Sequence, residues 1–174
     1  NRLKGSGIMK ETIYTIPINE ALEKECFCPL CEMYKNLERS EVKYAVGRAM
    51  MEPDFRVLTN KHGFCKKHIA DLNAESKALA LALVFDTHLE TVEEMLNVDF
   101  SGMKGRFRKS DGRVEAFAEA LEEVTGSCVI CDRIEKTFAR YINNFVYLLK
   151  KDKGFLDKVL KREGFCMEHF SMLV

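Results

Sequence analysis

The chain has 174 residues, 47% hydrophobic and 31% charged, which is globular composition and not that of a disordered tail. Lys+Arg and Asp+Glu number 27 each, so the net charge is zero and the global basic footprint of a nucleic-acid binder is missing. The longest apolar run, Ala78 to Phe85, is eight residues and too short to span a bilayer.

Residues 1–8 (NRLKGSGI) read as leader or appended sequence ahead of Met9 and are set aside. They lack a basic flank followed by an apolar stretch, so no secretory signal is legible and a cytoplasmic protein is expected. Seven cysteines in a reducing compartment, an odd number, argue against a disulfide framework. Residues Thr12–Ile18 alternate apolar and polar side chains and suggest an extended segment. Glu20-Ala21-Leu22-Glu23 starts an acidic helical stretch that leads into Cys28-Pro29-Leu30-Cys31. Tyr34, Leu37, Tyr44 and Ala45 then mark a helix face, with Pro53 as its end. Asp54–Asn60 reads as irregular and β-branched, before Gly63-Phe64-Cys65-Lys66-Lys67-His68. A long helix follows, expected from Ala74 to Asn97, with Asn73 as N-cap and Leu81, Phe85, Leu89, Val92 and Leu96 as its stripe.

The order then repeats. Glu119-Ala120-Leu121-Glu122 leads into Cys128-Val129-Ile130-Cys131. Ile134, Phe138, Tyr141, Ile142, Phe145, Leu148 and Leu149 form one face of a 3.6-residue period. A short Phe155–Leu160 helix precedes Gly164-Phe165-Cys166-Met167-Glu168-His169. The two CxxC motifs lie one hundred positions apart and the two GFCxxH motifs one hundred and one, too many matches in one register for chance. We therefore expect an all-α protein of two pseudo-repeats: residues 9–100, a Gly/Ser/charge-rich linker at 101–113, and residues 114–174. The second copy stops five residues after His169, which suggests a piece of a longer protein with this repeat cut short.

Each copy offers a CxxC and a CxxH, which can supply four soft or borderline donors for a tetrahedral ion. Grouped by copy, the expected sets are Cys28/Cys31/Cys65/His68 and Cys128/Cys131/Cys166/His169. The motifs should open helices, whose N-termini favour thiolates. Gly63 and Gly164 would let the chain bend sharply into the site. The intervening loops, 33 and 34 residues, mean that an ion would tie two helices together and not close a small finger. Two zinc ions per chain are expected; four donors leave no open position, so the sites should be structural. An iron–sulfur cluster is the rival, with Cys26 as a nearby extra thiol. Thioredoxin-like redox chemistry is less favoured, for want of a βαβ context.

Other candidates have blander readings. Cys26 has no match in the second copy and reads as a free or packed thiol. His62 aligns with Glu163, and His88 sits among apolar helix positions, so neither reads as a ligand. Glu52 and Asp54 could pair for acid–base work, but a solvated turn around Pro53 is favoured. The basic residues Lys104, Arg106, Arg108, Lys109 and Arg113, and Lys150, Lys151 and Lys153, could grip phosphate but read as solvated charge.

The run Met9 to Ala21, with Cys28-Pro29-Leu30-Cys31, Met51-Glu52-Pro53-Asp54 and Gly63-Phe64-Cys65-x-x-His68, resembles a bacterial family of unknown function found mainly in Firmicutes. The resemblance covers the chain from Met9 onward and implies a bacterial cytosolic protein, with no activity attached. The expectation is a non-enzymatic, metal-stabilised helical binding or regulatory module, its partner a protein or a second copy. The alternatives are a redox or iron–sulfur protein and, less favoured, a nucleic-acid-binding protein.

Overall fold

The computed structural model describes residue 13 and residues 15–97 and 112–174, and every regular element among them is helical. In chain order these are α1 (Ile16–Glu23), α2 (Pro29–Ala45), a 3-10 turn (Arg48–Met51), α3 (Pro53–His62), α4 (Lys66–Ala74), α5 (Ala78–Leu96), α6 (Gly112–Gly126), α7 (Val129–Lys151), α8 (Lys153–Leu160) and α9 (Met167–Ser171). Residues 1–8 and the linker as far as residue 111, with its basic cluster from Lys104 to Lys109, lie outside the described residues.

The helix starts follow local chemistry. Pro17, Pro29 and Pro53 occupy first turns, where a missing N–H removes no helical hydrogen bond. Asp152 caps α8, its side chain accepting from the Phe155 N–H at 3.1 Å. At the basic end of α7, Lys150 and Lys151 suit the negative end of the helix dipole.

Three local expectations need correction. Ile16–Ile18 is helical and not extended: Ile18, Ala21 and Leu22 share a buried helix face, which outweighs a short alternation. Thr12 and Tyr14 lie outside the described residues. The segment Asp54–Asn60 belongs to α3, because Pro53 opens a helix there and Phe55 and Thr59 are buried one turn apart. β-Branching is a weak helix penalty that such burial overrides. The long helix begins at Ala78 and not Ala74, since Ser76 adopts φ 55° and breaks α4 from α5. Its buried stripe is Ala80, Val84 and His88, one position off the expected phase. Unbroken apolar sequence from Ala78 to Phe85 leaves that phase undetermined by periodicity.

The chain forms two compact units, and neither coincides with one copy of the repeat. Among the described residues, the first takes those up to Leu37 together with Glu135–Val174, and the second those between Glu38 and Ile134. Within the first unit Ile18, Leu30, Met33, Phe145 and Leu148 are at most 2% exposed, and the Phe145 ring meets Phe155 edge-on at 5.1 Å. Burying such side chains contributes about 1.5–3 kcal/mol each. The second unit packs α3 against α5 and α6, around Phe55, Thr59, Leu72, Val84, Ile130 and Ile134. There Arg133 pairs with Glu41 and lies over the Tyr44 ring at 4.7 Å.

Candidate metal centres

All four cysteine-bearing motifs sit at the same place on a helix. Cys28, Cys65, Cys128 and Cys166 immediately precede α2, α4, α7 and α9, and the carbonyl of each accepts the first intrahelical hydrogen bond. Cys31, His68, Cys131 and His169 are then the third residues of those helices. The pair in each motif therefore shares one face of a first turn, among free N–H groups at the positive end of the dipole.

The eight donors gather into two sets of four: Cys28, Cys31, Cys166 and His169, and Cys65, His68, Cys128 and Cys131. The residues are those expected, but the grouping by copy is overturned. Each set joins the CxxC of one copy to the CxxH of the other, and each lies wholly within one compact unit. Local contacts enforce the exchange. The Gly63 carbonyl accepts from the Val129 N–H at 3.1 Å, and the Ser127 hydroxyl donates to the His62 carbonyl at 2.7 Å. Both hold the first GFCxxH turn against the second CxxC. In the other unit the Phe27 ring lies over Gly164, 3.5 Å from where a Cβ would sit. Both glycines have positive φ, 55° and 153°, as the sharp bends require.

Distances within each set are those of a tetrahedron's edges. His169 Nδ1 lies 3.6, 3.2 and 3.1 Å from the sulfurs of Cys28, Cys31 and Cys166, and Cys31 Sγ lies 3.6 Å from Cys166 Sγ. His68 Nδ1 lies 3.3, 3.2 and 3.4 Å from those of Cys65, Cys128 and Cys131, and Cys65 Sγ lies 3.9 Å from Cys131 Sγ. Ligand bonds of about 2.0 to 2.3 Å give sulfur–sulfur edges of about 3.8 Å and sulfur–nitrogen edges of about 3.6 Å. Both histidines present Nδ1, which leaves Nε2 to carry the ring proton.

The electrostatics of both sets suit a bound cation. Burial opposes the Cys28 thiolate, yet the N–H groups of Cys166 and Cys31 hold its thiol below the usual value. Cys31 is pushed up to about 12 by burial and by the thiols of Cys166 and Cys28. The second set repeats the pattern: burial opposes the Cys65 thiolate, but the His68 N–H helps hold the thiol low, while Cys131 is pushed up to about 12 by burial and by Cys128 and Cys65. One thiolate per set is welcome and the next is repelled, and a divalent ion at the centre removes that repulsion. Burial, the largest cause, also lowers both histidines, favouring the neutral ring that a metal needs.

The remaining sequence candidates stand outside both sets. His62 pairs with Asp132 at 3.7 Å. His88 is a core histidine whose Nδ1 lies 3.0 Å from the Asn60 carbonyl. Cys26 is half-buried beside Arg162, whose guanidinium donates to the Cys26 carbonyl at 2.7 Å. Glu52 and Asp54 are exposed, and Glu52 accepts from the Tyr44 hydroxyl. Sequence reasoning missed Glu38, whose Oε1 lies 3.4 Å from the Nε2 of His68. Its only signal was an acid on the face of α2, indistinguishable from ordinary surface charge.

A family model described as "Family of unknown function (DUF6062)" matches residues 9–174. The chain belongs to that family. No curated protein and no solved structure matches it. The family description attaches no chemistry, so the reading of the two sets rests on this chain's own residues. No helix among the described residues is long and apolar enough to cross a membrane.

Proposed function

We propose that this is a zinc-clamped helical protein, holding one ion at Cys28/Cys31/Cys166/His169 and one at Cys65/His68/Cys128/Cys131, and serving as a binding or regulatory module. The observation that carries the reading is the pair of three-thiol, one-imidazole sets with donor atoms at single-ion spacing. Three sulfurs and one nitrogen in a closed tetrahedron suit zinc. An iron–sulfur cluster spreads its ligands over several irons, so their mutual distances would exceed these edges. Full donor sets also leave no coordination position for a substrate, which favours clamping over catalysis.

Clamping suits this architecture. Each ion would join helix starts far apart in sequence, and structural zinc in small domains is worth about 10 to 16 kcal/mol. Unpaired, clustered cysteines fit a reducing compartment such as the bacterial cytoplasm. The test is elemental analysis with an absorption spectrum on anaerobically purified protein. Two zinc per chain and no visible band are expected. Iron with a broad band near about 400 nm would move the reading to iron chemistry. Neither metal, with thiols cycling to disulfides, would end it.

A further inference from the structure

The two centres share their ligand chemistry and differ in what stands behind the histidine. Glu38 lies seven residues beyond Cys31 on α2, and Phe138 lies seven residues beyond Cys131 on α7. They are matching positions of the repeat. Glu38 faces His68, with Oε1 3.4 Å from Nε2. That Nε2 is buried and makes no hydrogen bond, so a small approach by Glu38 would satisfy it. At the matching place His169 meets the Phe138 ring, centroids 5.4 Å apart; the charge of its chain neighbour Glu168 acts on the ring, but among the described residues no carboxylate stands at ion-pair distance from it as Glu38 does from His68. His169 and Cys31 instead line an open cavity of about 660 Å³, with Tyr34, Phe138, Ile142 and Met172 on its wall.

We propose that Glu38 is a positioning residue for the metal at Cys65/His68/Cys128/Cys131, which makes that centre the permanent clamp and the Cys28/Cys31/Cys166/His169 centre the exchangeable one. A metal on Nδ1 fixes the proton on Nε2. A carboxylate accepting that proton orients the ring and raises its donor strength. Lys67, bonded to both Glu38 and Asp71, holds the carboxylate in place. The other imidazole has an aromatic face and an open cavity, whose wall also carries Glu135 and Glu168, in place of a carboxylate held against its ring. Chelators and competing thiols therefore reach one centre more readily than the other.

The inference rests on the metal reading above, and its test separates the two. Zinc release to a chromogenic chelator is followed in Cys28→Ser/Cys166→Ser, which keeps only the Glu38-backed centre, and in Cys65→Ser/Cys128→Ser, which keeps only the other. The first should release its ion more slowly. Adding Glu38→Met to it should speed release about 10-fold to 100-fold. Glu38→Gln, which keeps a neutral acceptor, should fall between, and Lys67→Met should change release far less than Glu38→Met. Glu38→Met in the second background should change nothing. Equal rates in the two backgrounds, an unchanged rate on Glu38→Met, or no rescue by Gln would overturn the inference while leaving both metals in place. Wild-type protein without zinc would instead overturn the metal reading beneath it.

Discussion

The Nδ1 of His68 stands 3.2 Å from the Sγ of Cys128, sixty positions away and in the other copy of the repeat. That contact joins a motif of one copy to a motif of the other. Each copy contributes half of each centre, so damage to one motif should be felt by residues of both copies.

Cysteine identity should matter only inside the sets. Cys65→Ser or His68→Ala removes a ligand and should cost more than about 4 kcal/mol, the range reserved for lost metals and similar insults. Cys26→Ser keeps the carbonyl that Arg162 grips and should change stability by less than about 0.5 kcal/mol. Thermal melts of the variants check this, and comparable melts for Cys65→Ser and Cys26→Ser would contradict it.

Gly63 is predicted to tolerate no side chain. Its φ is 55°, and a Cβ would fall 2.4 Å from the Nε2 of His88. The left-handed backbone alone costs a non-glycine residue about 1–2 kcal/mol, so with the overlap Gly63→Ala should lose more than about 2 kcal/mol. In a His88→Ala background the overlap is gone and the penalty should shrink. Chemical denaturation of the four proteins in this cycle measures the coupling, and additivity would show that the contact is unimportant.

Acid should weaken the protein through its ligand histidines. Burial lowers both His68 and His169 from the ordinary 6.5. Below about pH 6.5 the unfolded chain takes up protons that the folded chain refuses, so stability is lost as pH falls. The loss levels off only below the folded values. Protons also compete with metal for the same nitrogens and sulfurs, which acts in the same direction. A melting temperature that falls from pH 7 to pH 5 is expected, and a flat profile would contradict the burial of neutral ligand imidazoles.

Much of this architecture is legible in the sequence. The eight cysteines and histidines that gather into the two sets, the helix starts that carry them and the long α7 follow from motif spacing, glycine placement and 3.6-residue periodicity. The pairing of the motifs does not. Cys31 is 34 positions from Cys65, against 135 from Cys166. Loop-closure entropy grows only logarithmically, so that difference is worth about 1 kcal/mol and cannot choose the partner. Packing chooses it, through contacts such as Gly63 with Val129 that no spacing rule encodes. The phase of α5 and the helicity of α3 were hidden for a related reason: where apolar residues are contiguous or β-branched, the neighbours decide which face is buried.

The most direct test of the crossed centres is the zinc content of two double variants. Cys28→Ser/Cys166→Ser removes two ligands from one crossed centre and none from the other. Cys28→Ser/Cys65→Ser removes one ligand from each. The crossed arrangement predicts that the first keeps one tightly held zinc per chain and the second holds both weakly or not at all. One tightly held zinc in Cys28→Ser/Cys65→Ser, with none in Cys28→Ser/Cys166→Ser, would contradict it and return each ion to a single copy of the repeat.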